Sequence, residues 1–306
     1  MKILITGSTG LVGNTLVNEL QSSGHTVCRL LRPGTETRNL TNSSAGFDVN
    51  WDPVTGGLGG AAVGADAVVN LSGAPIANGR WTPERKNLLR TSRVDSTRAL
   101  VNALARMNAR PRVLVSASAI GIYGNRGDEL LTEDSTRGNN FLSGLAADWE
   151  VEAVKADALG IRVVLTRFGI ILAKHAGALQ PMLRAFQFGV GGKIGSGKQW
   201  MSWITLDDVV NLLRLALENG SVRGPLNFVS PQPVRNAEFT KALAEVMHRP
   251  AFLSAPAFAL RLALGEMADE LVLSSQRCTP KKAQDLGYRF QYPEISAALQ
   301  HLLKHD

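Results

Sequence analysis

Cysteine is scarce: Cys28 and Cys278 are the only two in 306 residues. Two distant thiols make no disulfide framework and cannot supply a cysteine-rich zinc site, so reduced structural thiols and a cytoplasmic setting are expected. Aromatic residues make up 6% of the chain, too few for the stacking platforms that grip single-stranded nucleic acid. No apolar run reaches the roughly 20 residues that span a bilayer. The stretch 251–267 comes nearest, and Pro256, Arg261 and Glu266 interrupt it. The opening Met1-Lys2-Ile3-Leu4-Ile5 reads as a strand, not a signal peptide. Five histidines are scattered without ligand spacing, so no metal site is expected. Neither a nucleic acid nor a membrane is expected as partner. What is in excess is positive charge: 33 Lys and Arg against 26 Asp and Glu give +7. That balance favours anionic partners without naming the anion; a small-molecule substrate, anionic or polar, is the partner expected.

The first 170 or so residues alternate short apolar runs with longer helical patterns. Strands are expected at 2–6, 26–31, 47–51, 67–71, 112–116 and 162–167, and helices at 12–22, 83–107 and 140–158. In the second helix Leu88, Leu89, Val94, Leu100, Val101 and Leu104 recur at near-helical spacing, and Pro83 sits where a first helical residue belongs. Strands alternating with helices imply right-handed crossovers and a parallel sheet covered on both faces. Their continuous apolar character fits burial on both sides. The fold expected is α/β: a doubly wound parallel sheet (Rossmann) with a smaller, mostly helical C-terminal lobe. Residues 1–172 with 203–230 would form the dinucleotide-binding domain, and 173–202 with 231–306 the substrate-side lobe. The stretch 189–197 holds five glycines and reads as a mobile loop, and a further strand is expected at 200–204.

The strongest motif is Thr6-Gly7-Ser8-Thr9-Gly10-Leu11-Val12-Gly13, which closes the first strand and opens the first helix. In that context glycines have distinct tasks: Gly7 permits the tight turn, Gly10 close approach of a pyrophosphate, and Gly13 close packing of helix on strand. Free N–H groups at the helix start, aided by the helix dipole, would face the phosphates. Gly7, Thr9, Gly10, Leu11 and Val12 are the candidate contacts. The second strand ends Cys28-Arg29-Leu30-Leu31-Arg32, with no acid before Glu36. An acid there would select NAD(H) through the ribose hydroxyls, whereas an arginine can take a 2′-phosphate with paired N–H bonds. Arg32 is the first choice for that task and Arg29 the second. NADP(H) is therefore the expected cofactor.

The glycine pattern resembles that of extended short-chain dehydrogenases/reductases, the superfamily that includes nucleotide-sugar epimerases and dehydratases. Further segments fit in order. Asn70-Leu71-Ser72-Gly73-Ala74 is similar to the fourth-strand segment that runs along the cofactor. Val115-Ser116-Ala117-Ser118 with Tyr123-Gly124 resembles the fifth-strand serine region. Arg167-Phe168-Gly169-Ile170-Ile171-Leu172 resembles the stretch that meets the nicotinamide end. Trp203-Ile204-Thr205-Leu206-Asp207-Asp208 resembles a late Ile-His-x-Asp-Asp element, with Thr205 in the histidine's place. Gly79-Arg80-Trp81-Thr82, Ser92-Arg93, Asp148-Trp149-Glu150, the 191–197 loop and Ser230-Pro231 through Arg235-Asn236 resemble one branch more closely. That branch is the epimerase family with its own C-terminal domain.

The resemblance covers essentially the whole chain and implies an NADP(H)-binding core. Leu31, Arg32, Leu71, Ser72, Gly73, Arg93, Ser116, Arg167, Gly169 and Ile171 would lie near the cofactor. The superfamily's Tyr-x-x-x-Lys pair is missing: aligning Glu150 puts Leu142 and Ala146 in those positions. Ser118 and Tyr123 are then the candidate substitutes for proton transfer. Two functions stay open: an NADP(H)-dependent oxidoreductase or epimerase, and a non-catalytic NADP(H) sensor that has lost the pair. The oligomeric state is left undetermined.

Overall fold

A computed structural model describes residues 1–34, 46–53, 57–58 and 62–304. Glu36 lies outside the described residues. Seven described strands form one sheet: β1 (Lys2–Thr6), β2 (Thr26–Leu31), β3 (Gly46–Asn50), β4 (Ala67–Asn70), β5 (Val113–Ala119), β6 (Arg162–Phe168) and β7 (Gly224–Phe228). Their spatial order is β3-β2-β1-β4-β5-β6-β7, and every neighbouring pair is parallel. The order reverses between β1 and β4, and a doubly wound sheet opens its ligand crevice at the carboxyl side of that switch point. Observed strands differ from the expected ones by a few residues at their ends.

Helices α1 (Leu11–Ser22), α2 (Pro83–Arg90), α3 (Ser96–Ala105), α4 (Phe141–Val154) and α6 (Leu206–Glu218) flank the sheet, with α5 (Leu179–Gln187), α7 (Asn236–Met247), α8 (Ala257–Leu264), α9 (Lys281–Asp285) and α10 (Ile295–Lys304) towards the C-terminus. Period-two alternation divides the core. Ile3, Ile5, Val69 and Val115 pack with Leu16 and Leu20 of α1 and Leu213 of α6. Leu4, Val68, Leu114 and Val163 pack with Leu100 and Leu104 of α3 and Ala153 of α4. A further core joins Leu183 and Phe186 of α5, Trp203, Phe239 of α7 and Leu299 of α10. The tail also returns to the main sheet, where Ala283, Tyr288 and Phe290 join its core. Asp208, buried at the start of α6, fastens it: the Tyr288 hydroxyl donates at 2.8 Å and the Gln291 amide at 2.9 Å.

Three expectations change. The helix expected over 83–107 carries a π-turn at Thr91–Asp95 between α2 and α3. The strand expected at 200–204 splits at Ser202: Trp200–Met201 pairs antiparallel with Val234–Arg235, and Trp203–Thr205 pairs parallel with Ile170–Leu172. The glycine-rich 189–197 stretch is not a free loop. Its Gly192–Ile194 pairs with Leu253–Ala255 so closely that a Cβ on Gly192 would run into the Leu253 carbonyl. Among the described residues no helix is long and apolar enough to cross a membrane.

Candidate functional site

The crevice at the carboxyl edge begins with the loop between β1 and α1. Gly7 adopts φ +67°, a left-handed conformation that glycine takes without strain. An added Cβ would also lie 2.5 Å from the Leu71 carbonyl oxygen, so the loop rests directly on the backbone after β4. A Cβ at Gly13 would strike the Gly7 carbonyl, which fixes how tightly α1 packs on its own entry loop. The N-termini of α2, α4 and α6 are capped by Thr82, Asn140 and Thr205, whose side chains accept from Arg85, Ser143 and Asp208 amides. Gly10 caps α1 with no side chain at all, leaving the first-turn N–H groups turned outward. Thr9 and Gly10 are exposed, and Leu11 and Val12 partly so.

Ser8, 2% exposed, has a hydroxyl with no hydrogen-bond partner among the described residues. An orphaned hydroxyl within a glycine cradle at an uncapped helix start fits a bound diphosphate. Sequence reasoning passed over Ser8, because its signal is the missing partner and not the residue type. Across the crevice, Gly177 turns with φ +73°, and its Cβ would stand 3.2 Å from Leu11 Cδ2. The Ile171–Gly177 segment thus reaches the start of α1. Gly169 lies against the Ser202 carbonyl, 2.5 Å from an added Cβ.

At the end of β2 the two arginines separate. Arg29 is 5% exposed and tied to Asp48 of β3, with its Nε 2.7 Å from Oδ1, so the second-choice phosphate ligand is engaged within the sheet. Arg32 is exposed and has no ion-pair partner among the described residues. Leu31 beside it is buried.

Arg93 projects from the π-turn to the backbone after β4. Its guanidinium donates to the carbonyls of Ala74 (2.9 Å) and Leu89 (3.2 Å), lies 5.3 Å over the Trp149 ring, and sits 3.1 Å from where a Gly73 Cβ would be. Burial, and secondarily the charge of Arg85, pulls its pKa down to about 10. No carboxylate pairs with Arg93 among the described residues. π-turns recur at functional sites because the extra residue re-aims a side chain. Leu71 and Ser72 form the floor between Gly7 and Gly73, with Ser72 buried.

The structure removes four expected residues from the cleft wall into the interior. Ser116 accepts from Asn70 Nδ2 at 3.2 Å, within a chain that runs from Thr6 through Asn70 to Thr97 and the Trp149 indole. Ser118 donates to Glu150 Oε1 at 2.6 Å. Arg167 holds the same carboxylate with Nε–Oε1 2.8 Å and Nη2–Oε2 2.9 Å, a paired salt bridge. Tyr123 is fully buried; its hydroxyl donates to Asn227 (2.7 Å) and accepts from Arg167 (2.9 Å). Burial pushes the Tyr123 hydroxyl pKa up, despite the neighbouring arginine. A hydroxyl so placed holds its proton at neutral pH. The expectation that Tyr123 and Ser118 replace the missing donors therefore meets a packed, internally satisfied network.

Known proteins share the sequence pattern and the fold of this chain. Residues 3–228 match the family described as NAD dependent epimerase/dehydratase. The chain belongs to that family. Residues 255–302 match a domain of unknown function (DUF1731). An epimerase family protein of Mycobacterium leprae is 39% identical over 300 residues, covering 98% of this chain and 94% of the relative. Epimerase family protein YfhF of Bacillus subtilis is 39% identical over 306 residues, covering 99% and 98%. Human epimerase family protein SDR39U1, solved with NADPH, superposes with a TM-score of 0.85 at 28% identity over 99% of both chains. A nucleoside-diphosphate sugar epimerase of Corynebacterium glutamicum gives 0.80 at 34%, covering 99% of this chain and 58% of that one.

In this epimerase family chain, the helix that would carry the proton-transfer pair is apolar where it matters. Leu142 packs among Trp81, Phe141, Leu145 and Met267, and Ala146 is buried beside Tyr123. The helix start is also closed: Glu270 accepts from the Phe141 amide at 3.1 Å and the Leu142 amide at 2.9 Å. Burial raises the Glu270 pKa although both amides favour its charged form. Both cysteines are buried, and burial raises Cys28 to about 11 and Cys278 to about 12, so neither is a ready nucleophile. The described residues hold no cluster of three or more metal-ligating side chains.

Proposed function

We propose that the chain binds NADP(H), in preference to NAD(H), and is an oxidoreductase or epimerase acting on a small polar or nucleotide-linked substrate. The observation that carries this reading is Arg32, exposed and without an ion pair among the described residues at the end of β2, while Arg29 is held by Asp48. Gly7, Thr9, Gly10, Leu11 and Val12 would hold the diphosphate, with the Ser8 hydroxyl among them. Leu31 and Arg32 would hold the adenosine end, and Leu71, Ser72, Gly73, Arg93, Gly169 and Ile171 the rest. Such a cofactor supplies or accepts hydride at its nicotinamide ring. The residues of this chain orient it, and the apolar cluster around Leu142 and Met267 keeps water from the reacting end. Arg93 supplies positive charge that no carboxylate among the described residues pairs with, which suits an anionic group. The human relative solved with NADPH supports the same choice of cofactor. Two buried, reduced thiols support a cytoplasmic setting.

Calorimetric titration of the protein and Arg32→Asp with NADPH and NADH tests the proposal. NADPH is expected to bind the parent about tenfold or more tightly than NADH, as one lost charged hydrogen bond implies. Arg32→Asp should erase or invert that ratio; equal affinities in the parent would refute it. A second reading, a non-catalytic NADP(H)-responsive module, is favoured by Leu142 and Ala146 and by the sealed Tyr123. Tight NADPH binding with no turnover across carbonyl and sugar-nucleotide panels would select it.

A further inference from the structure

Four large apolar side chains stand further out of the molecule than any others described, and all lie in two segments: Phe188 at 82% exposure, Phe252 at 92%, Phe258 at 73% and Leu262 at 77%. Val190 and Leu253, each more than half exposed, belong to the same segments. The fold brings the two together. Gly192–Ile194, just after Phe188 and Val190, pairs residue for residue with Leu253–Ala255, which follows Phe252. Pro256 then leads into α8, where Phe258 and Leu262 are four apart and share one face. α8 buries none of its eight residues. Scattered single apolar residues on a surface are ordinary, but a contiguous group of this size marks a site of interaction.

The charge around the group identifies what covers it. Residues 184–194 and 248–262 contain no aspartate or glutamate, and they carry Arg184, Lys193, Arg249 and Arg261. Arg261 is paired with Asp269; Arg184, Lys193 and Arg249 are exposed and have no ion pair among the described residues. A second copy of the chain docked through this face would set these cations against their own equivalents. A rigid partner would also need hollows to receive side chains that project so far. An anionic bilayer needs neither: its headgroups complement the cations, and its acyl boundary admits aromatic and leucine side chains wherever they fall.

We propose that the surface formed by residues 188–193 and 249–262 docks the protein, peripherally and reversibly, onto an anionic lipid bilayer. The chain rests on the membrane and does not cross it. The surface is independent of the cofactor reading, since none of its residues is placed in the crevice.

The test is flotation of the full-length protein with phosphatidylcholine vesicles, with and without phosphatidylglycerol. Binding is expected only with the anionic lipid and should weaken with added salt. Phe252→Ser with Phe258→Ser should lower the partition coefficient about tenfold or more. Lys193→Glu with Arg249→Glu should lower it by about tenfold. All four side chains are solvent-exposed, and an unchanged thermal melt in both variants verifies folding. Absence of flotation at low salt overturns the proposal. So does flotation that survives the two phenylalanine substitutions, because the apolar group would then play no part. A reversible dimer that those substitutions dissolve, without vesicle binding, likewise overturns it and assigns the surface to a second copy.

Discussion

The starts of α1 and α4 both follow strands at the carboxyl edge of the sheet, yet they are finished in opposite ways. At α1 the cap is Gly10, the entry glycines leave no room for side chains, and Ser8 keeps a hydroxyl without a partner among the described residues. At α4 the Asn140 side chain caps Ser143, Glu270 takes the Phe141 and Leu142 amides, and Leu142 packs into an apolar cluster. One helix start is left open for an anion from outside; the other is already supplied with an anion from the C-terminal part of the chain. On the proposed reading, the cofactor end of the crevice offers uncapped N–H groups to a diphosphate, while the helix expected to carry the proton-transfer pair presents packed apolar side chains.

The largest effect that would sharpen this contrast lies behind α4. Arg167→Leu leaves the buried Glu150 carboxylate without its cation and is expected to cost about 3–5 kcal/mol of stability, read by chemical denaturation. If NADPH affinity of the folded fraction is unchanged, Arg167 belongs to the scaffold; a lost affinity would return it to the cofactor site. Next comes Gly13→Val, whose Cβ must displace the Gly7 carbonyl. NADPH affinity measured by calorimetry should fall by about a hundredfold, or roughly 2.7 kcal/mol, and an unaltered heat of binding would break the comparison.

The smallest effect concerns Glu133, 4% exposed, which accepts from the Asn227 amide at 3.0 Å and the Lys282 amide at 3.3 Å. Burial raises its pKa above the ordinary carboxylate value, outweighing those amides. The folded state therefore holds the proton more firmly than the unfolded chain does. Its stabilising contribution is complete below the unfolded pKa and disappears as pH rises through the folded one. Glu133→Gln should match the parent's melting temperature in acid and exceed it at neutral pH. A gap that widens in acid would contradict this sign.

Much of the sheet was readable from sequence because its strands are buried on both faces and appear as compact apolar runs between turn residues. The glycine loop was readable because its tasks depend on neighbours only a few positions away. Sequence placed Arg32 ahead of Arg29 as a phosphate ligand, but the pairing of Arg29 with Asp48 on an adjacent strand was not legible there. The burial of Tyr123, Ser118 and Arg167 was equally hidden. It depends on Glu150, Asn227 and the Glu133 carbonyl, which come from three other parts of the chain. The π-turn left no trace, because residues 91–95 continue the same helical pattern as their flanks. The 192–194 strand was read as loose for the opposite reason: its glycines serve contact with Leu253 and not freedom.

The extra residue in that turn works like a gear between two shafts. Residues before it and after it answer to different neighbours: Arg93 must meet the Gly73 backbone, while Leu100 and Leu104 must mesh with β4 and β5. An uninterrupted α-helix advances about 100° per residue and would satisfy one requirement or the other. Deleting a single residue between Thr91 and Asp95 should therefore rotate the guanidinium away from the crevice while the distal turns stay seated.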